Sequence, residues 1–264
     1  MAQAHELTGA PAHRRRVLLL RAIIVVAILA SWEALARSGL LFQDVVPPLG
    51  NIAVALAALL SSVEFYGHLS WTLGEIAMAL AMGLVAGLAV GLLVGSSSLL
   101  NRAFVPYLYY LGSTPKLIFF PVMIMLFGVG AGSKIALALI SCFFPIALST
   151  AEGLRRINPV FIKVGRSFRA GTWDVVRHIY LPALREPILT GVRLGLGIAI
   201  IATLLAETKL SNRGVGHLVI QAFTIFDMPR MYALLIAIFA IAIAANVFLG
   251  RISRNTPGRG DARA

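Results

Sequence analysis

Apolar residues run almost unbroken through six stretches of this chain, at positions 17–36, 68–94, 104–127, 134–151, 187–207 and 231–250. Each is near the roughly 20 residues a helix needs to cross the hydrocarbon core of a bilayer. The pattern therefore predicts an all-α polytopic membrane protein with six transmembrane helices. The third stretch is the irregular one. Pro115 and Pro121 interrupt it, and Tyr107, Tyr109 and Tyr110 near its start resemble an interfacial aromatic belt. It is expected to enter as a surface helix and to cross with a kink.

Between the fourth and fifth stretches the pattern changes. Residues 151–186 carry Arg155, Arg156, Lys163, Arg166, Arg169, Arg177 and Arg185 against Glu152, Asp174 and Glu186. Inside that charge a helical apolar rhythm persists. Asn158-Pro159 supplies an N-cap with proline at the first helical position, and Phe161, Val164 and Phe168 recur at three and four residues as one stripe. Gly171 permits a turn, and Thr172 is placed to cap a second helix with Asp174 at the positive end of its dipole. Trp173, Val176, Ile179 and Tyr180 form its apolar face, and Pro182 is expected to stop it. Two readings follow from the pattern: a helix-turn-helix finger built to dock a soluble partner, or a basic loop drawn to anionic head groups of membrane lipid.

Composition agrees with the membrane class, at 59% hydrophobic and 13% charged residues with a mean hydropathy of +0.87. The net charge of +12 suggests nucleic acid, but most of the 23 basic residues follow membrane sidedness instead of gathering on one soluble module. With the N-terminus inside, Arg14, Arg15, Arg16, Arg21, Arg102, the basic loop and Arg251 to Arg263 all face the cytoplasm. Both termini and the loop are then cytoplasmic. Residues 1–16 read as an N-terminal tail, 17–63 as the first helix with an extracytoplasmic loop, 64–250 as the transport domain, and 251–264 as a disordered tail. A signal-peptide reading of the basic N-terminus is disfavoured by Trp32 and Glu33, so the first span is expected to stay uncleaved. The lone Cys142 reads as core filling.

Glycines at 83, 87, 91 and 95 lay a smooth strip along the second span, and Gly191 and Gly195 repeat the device in the fifth, which predicts close helix contacts. Enzyme signatures are missing. Gly128 to Lys134 has its lysine after serine and reads as a tight turn instead of a phosphate loop, and His5, His13, His68, His178 and His217 lack metal-ligand spacing. No catalytic residue, metal site or cofactor is assigned. What remains at membrane depth is Glu33, Glu75, Lys116 and Arg193, each costing at least about 2 to 3 kcal/mol near the midplane unless paired or hydrated. Lys116, Arg193 and Glu75 are the candidates for a translocation path, with Glu75 leaning toward a structural pair and read as the sole deep acid. Two buried cations would suit an anion.

Several motifs, taken in order, resemble one family. These are Thr114-Pro115-Lys116-Leu117 with Pro121 and Phe127-Gly128-Val129-Gly130, then Phe144-Pro145, Glu152-Gly153-Leu154-Arg155 and Asn158-Pro159. Ile179, Leu181 and Pro182 follow, then Thr190-Gly191-Val192-Arg193-Leu194-Gly195. Together they cover about residues 64–250 and resemble the transmembrane subunit of a bacterial ATP-binding-cassette importer of the nitrate, sulfonate and taurine branch. The resemblance implies a permease dimer, a cytoplasmic ATPase that carries out hydrolysis and grips the loop, and an extracytoplasmic solute-binding protein. It places the ATPase contacts at Phe161, Lys163, Val164, Gly165, Phe168, Arg169, Gly171, Trp173, Ile179, Leu181 and Pro182. The chain departs from the family in two places. Lys163-Val164-Gly165 stands where the family loop opens with Glu-Ala-Ala, and Arg169 stands where it has glycine, so Gly171 is expected to take over the turn. An ion-coupled secondary transporter remains the alternative, and it would require buried acids and broken helices in matching halves.

Overall fold

The computed structural model describes residues 10–39 and 45–254, all of them helical or in short connections. The tail read as disordered lies from 255 on outside the described residues, as do residues 1–9 of the N-terminal tail. Five helices are long and apolar enough to span a bilayer: α1 (Ala10–Arg37), α3 (Val63–Ser96), α6 (Ala131–Arg155), α9 (Leu181–Lys209) and α11 (Met228–Arg254). The spans number up to six if a bent pair counts as one. Helix α4 (Ser98–Ser113) is followed after an 83° bend by a 3₁₀ turn (Lys116–Phe119) and α5 (Phe120–Phe127), so the expected kink is a full break. Pro115 has no N–H to continue the α4 ladder, and Thr114 before it is extended at φ −65°, ψ 139°.

Helix α6 lies between α3 and α9 at the centre. The glycine strip of α3 makes this possible. A Cβ on Gly87 would lie 2.8 Å from Ile146 and one on Gly91 2.6 Å from the Ala147 carbonyl, distances a real side chain could not occupy. From the other side Gly191 and Gly195 of α9 press on Pro145, Ile146 and Ser149. Around this contact Ala79, Ala138, Cys142, Ile146, Ala199 and Ala206 are fully buried. Small residues let the backbones approach, and dispersion over the long contact replaces the hydrophobic drive that lipid does not supply.

Two short helices complete the bundle at the end remote from the finger. These are α2 (Leu49–Leu60), within the stretch read as an outer loop, and α10 (Val215–Thr224). They bury Leu59, Val215, Leu218 and Ala222 against Phe65 of α3 and Ala233, Leu234 and Ala237 of α11. Among the described residues, helix α1 is attached near its C-terminal end: the Trp32 indole donates to the Pro47 carbonyl at 3.1 Å, and the Leu49 amide donates to the Glu33 carboxylate at 2.9 Å. The side chains from Leu18 to Leu29 are exposed, as suits a helix facing acyl chains or another subunit.

Candidate functional site

The polar interruption folds as a finger. Helix α7 (Pro159–Ser167) starts as expected, with the Asn158 side-chain oxygen accepting from the Val160 amide at 3.0 Å. Its end differs from expectation. Arg169, not Gly171, makes the turn: it lies at φ +55°, and the Ala170 amide reaches back to the Gly165 carbonyl at 3.0 Å, the hydrogen-bond pattern that closes helices on a left-handed residue. Gly171, at φ −63°, caps the next helix instead, in the place assigned to Thr172. Its amide donates to the Asp174 carboxylate at 3.2 Å. A glycine there, as the sequence resemblance implies for the family, would avoid the about 1–2 kcal/mol that a left-handed residue costs an L-side chain.

The second expectation to fail is the stop at Pro182. After α8 (Thr172–Val175) the chain widens into a π-turn (Val176–Tyr180), and the Leu181 amide bonds the Val176 carbonyl five residues back. That wider turn accommodates the proline ring, which would clash with the carbonyl four residues back in a regular helix. The helix therefore continues through Pro182 into α9, and residues from Thr172 to Lys209 form one run.

The predicted apolar face divides. Ile179 turns inward, within 3.2 Å of where a Cβ on Gly165 would stand, so Gly165 marks the crossing of the two finger helices. Phe161, Val164, Phe168 and Trp173 point outward, with Phe168 82% and Trp173 72% exposed. Lys163, Arg169, Gly171, Leu181 and Pro182 are exposed around this patch. At the root of the finger Glu152 ties two helices, accepting from the Tyr109 hydroxyl of α4 at 3.1 Å and pairing with Arg156 at 3.2 Å.

Lys116, Arg193 and Glu75 occupy three separate places. Lys116 sits at the break after α4, donating to the Gly112 and Thr114 carbonyls that the bend leaves open, with its ammonium 5.2 Å from the centre of the Phe144 ring. Arg193 opens onto a cleft between α9 and α11. Glu75 is sealed in the bundle, paired with Lys134 at 3.0 Å, and both side chains are 3% exposed.

Glu75 is not the sole deep acid. Glu207, wholly buried, accepts from the Thr72 hydroxyl and from the Gly216 amide, both at 2.7 Å, and Lys134 also donates to Ser211 at 2.7 Å. Three successive amides at the start of α10 are received by side chains of other helices: Gly214 by His68 at 3.0 Å, Val215 by Thr72 at 2.8 Å and Gly216 by Glu207. These donors have no intrahelical acceptor, so the polar cluster fastens α10. His217 stacks at 6.0 Å on His68. Burial first, and then His68, lowers its pKa from the ordinary 6.5. A signal for Glu207 was present, since it continues the four-residue step from Gly191 through Gly195, Ala199 and Thr203. Among the described residues no three His, Cys, Asp or Glu side chains are grouped to hold a metal ion.

Residues 79–256 match the family model of the binding-protein-dependent transport system inner membrane component. The chain belongs to that family. This permease is 29% identical over 224 residues to an aliphatic sulfonates transport permease protein SsuC of Bacillus subtilis, covering 85% of this chain and 79% of that one. It is 27% identical to the taurine transport system permease protein TauC of Escherichia coli, over 89% and 87% of the two chains. In fold it is similar to the inward-facing MetNI methionine ABC transporter, at a TM-score of 0.62 and 19% identity, over 71% of this permease and 94% of that chain. It is thus a multi-pass inner-membrane protein with the all-α fold of an ABC-importer permease, as its sequence resemblance implies.

Proposed function

We propose that this permease imports a small solute with an anionic group, of the sulfonate or taurine kind, and is driven by a separate cytoplasmic ATPase that grips the finger at residues 159–180. The observation that carries the reading is the outward cluster of Phe161, Val164, Phe168 and Trp173 on a finger otherwise decorated with cations. Four large apolar side chains clustered on a projection beyond the ends of the spans suit the groove of a soluble subunit. The basic collar supports a cytoplasmic location, and the names of the sulfonate and taurine relatives support the solute class.

In this reading two copies form the path, a binding protein presents the solute on the far side, and closure of two ATPases draws the two fingers together. The gain in contact at the fingers shifts each bundle between inward- and outward-open states. Lys116, at a broken helix with a partly exposed side chain, is the path candidate that the geometry favours. Glu75 is committed to Lys134.

Co-purification with the ATPase tests the docking. Phe168→Asp and Trp173→Asp are each expected to lower ATPase recovery at least 10-fold without lowering membrane accumulation. Undiminished recovery in both variants refutes it. Reconstitution with candidate binding proteins tests the solute: sulfonate- or taurine-loaded protein should raise ATP turnover, and stimulation only by solutes that carry no anionic group overturns the assignment.

A further inference from the structure

The face of α9 turned toward α11 carries a cation that the fold leaves unanswered. Arg193 is exposed and has neither an ion pair nor a hydrogen bond among the described residues. It stands two residues from both Gly191 and Gly195, the positions that press on α6, so at 100° per residue it points nearly opposite to that packing face. Its guanidinium rests on Gly250 of α11, where a Cβ would come within 3.2 Å of Nη2. From there a cleft of about 390 Å³ runs along α11 past Val247, Asn246, Ile243 and Phe239.

Charge and length both specify an occupant. The lining positions recur at three or four residues, which makes one straight stripe on α11. From Gly250 to Phe239 the helix rises roughly 16 Å at 1.5 Å per residue, about half of the ~30 Å hydrocarbon core and so one leaflet. The cationic end lies beside Gly250, just before Arg251 and Arg254 at the end of α11, and on the same side of the bundle as the finger. The apolar end lies toward the bilayer centre. A free small anion would find one guanidinium and a wall of hydrocarbon, too few donors to replace its hydration shell. A phosphate attached to an acyl chain satisfies both ends.

We propose that this cleft binds one anionic phospholipid of the leaflet on the finger's side. The phosphate sits on Arg193 and on the amide of Asn246, which keeps a second N–H beyond the one it gives to the Ala242 carbonyl. One acyl chain lies along Val247, Ile243 and Phe239. The headgroup neutralises an arginine otherwise left at the edge of the hydrocarbon, and the chain fills the seam between the span that carries the finger and the last span. The site involves neither the solute nor the ATPase, so it stands or falls apart from the transport assignment.

The assembled transporter, released from nanodiscs of equal phosphatidylglycerol and phosphatidylcholine, would be examined by native mass spectrometry. Wild type should retain phosphatidylglycerol in preference. Arg193→Ala should reduce the retained ratio several-fold, Arg193→Lys should keep most of it, and Gly250→Leu, which blocks the cleft and leaves the charge, should reduce it as Arg193→Ala does. An unchanged ratio in Arg193→Ala overturns the site. A photoreactive residue at Ile243 provides a test in the otherwise unaltered protein: cross-links to phospholipid support it. Cross-links to a second copy of this chain, or displacement of the lipid by free taurine or sulfate, overturn it.

Discussion

Arg169 shows how much a single backbone angle explains. At φ +55° it performs a turn that glycine performs without strain. Arg169→Gly is expected to stabilise the finger by about 1 kcal/mol, read as stronger ATPase binding or slower proteolysis of the finger in the isolated permease. The buried pair makes a second residue-scale prediction. Lys134→Met leaves Glu75 and Glu207 buried without their cation and should cost about 3–5 kcal/mol, whereas Lys134→Met with Glu75→Leu should recover much of it, both measured by thermal unfolding in detergent. His217 adds a pH dependence. Because its folded pKa is lowered from 6.5, the unfolded chain takes the proton first as pH falls. Stability should therefore decline from about pH 6.5 downward, level off below the folded value, and lose that slope in His217→Gln.

At the scale of elements the glycine strip is the critical device. Gly91→Val would place side-chain atoms in the Ala147 carbonyl and Thr150, and it should separate α3 from α6 enough to abolish a monodisperse peak in fluorescence-detected size exclusion. That contact was legible in the sequence because a four-residue glycine repeat leaves few other uses. The existence of the finger was legible for a similar reason, since apolar residues at helical spacing inside dense charge are hard to place elsewhere. What could not be read was conformational. The π-turn before Pro182 depends on backbone hydrogen bonds that no residue type announces, and the choice of Arg169 over Gly171 for the turn ran against intrinsic preference. Helices α2 and α10 were missed because each is too short to span, so a search by length passed over them.

For the whole molecule, hydropathy alone accounts for up to six spans, but the polar cluster that holds the rim remote from the finger joins residues 68, 72, 75, 134, 207 and 214–216 from four helices. Only the assembled bundle brings these together. Sidedness is testable at this scale. With buried Cys142 replaced by alanine, a cysteine introduced at Ser167 should react with impermeant maleimide in inside-out vesicles and resist it in intact cells. Labelling from the outside would place the finger on the wrong face for an intracellular ATPase.

The unbroken passage through Pro182 has a mechanical result. From Thr172 to Lys209 the chain is a single rod, clasped by α6 where Gly191 meets Pro145 and Ser149. Helix α6 seats α9 along much of its length, at Gly153 against Pro187, at Gly191 and at Gly195, and the buried cluster extends the contact to Ala206. A sideways push on the finger therefore cannot turn α9 about one point and is passed to α6 as well. Because Glu207 is the side chain that clasps the amide of Gly216, α10 is carried with α9.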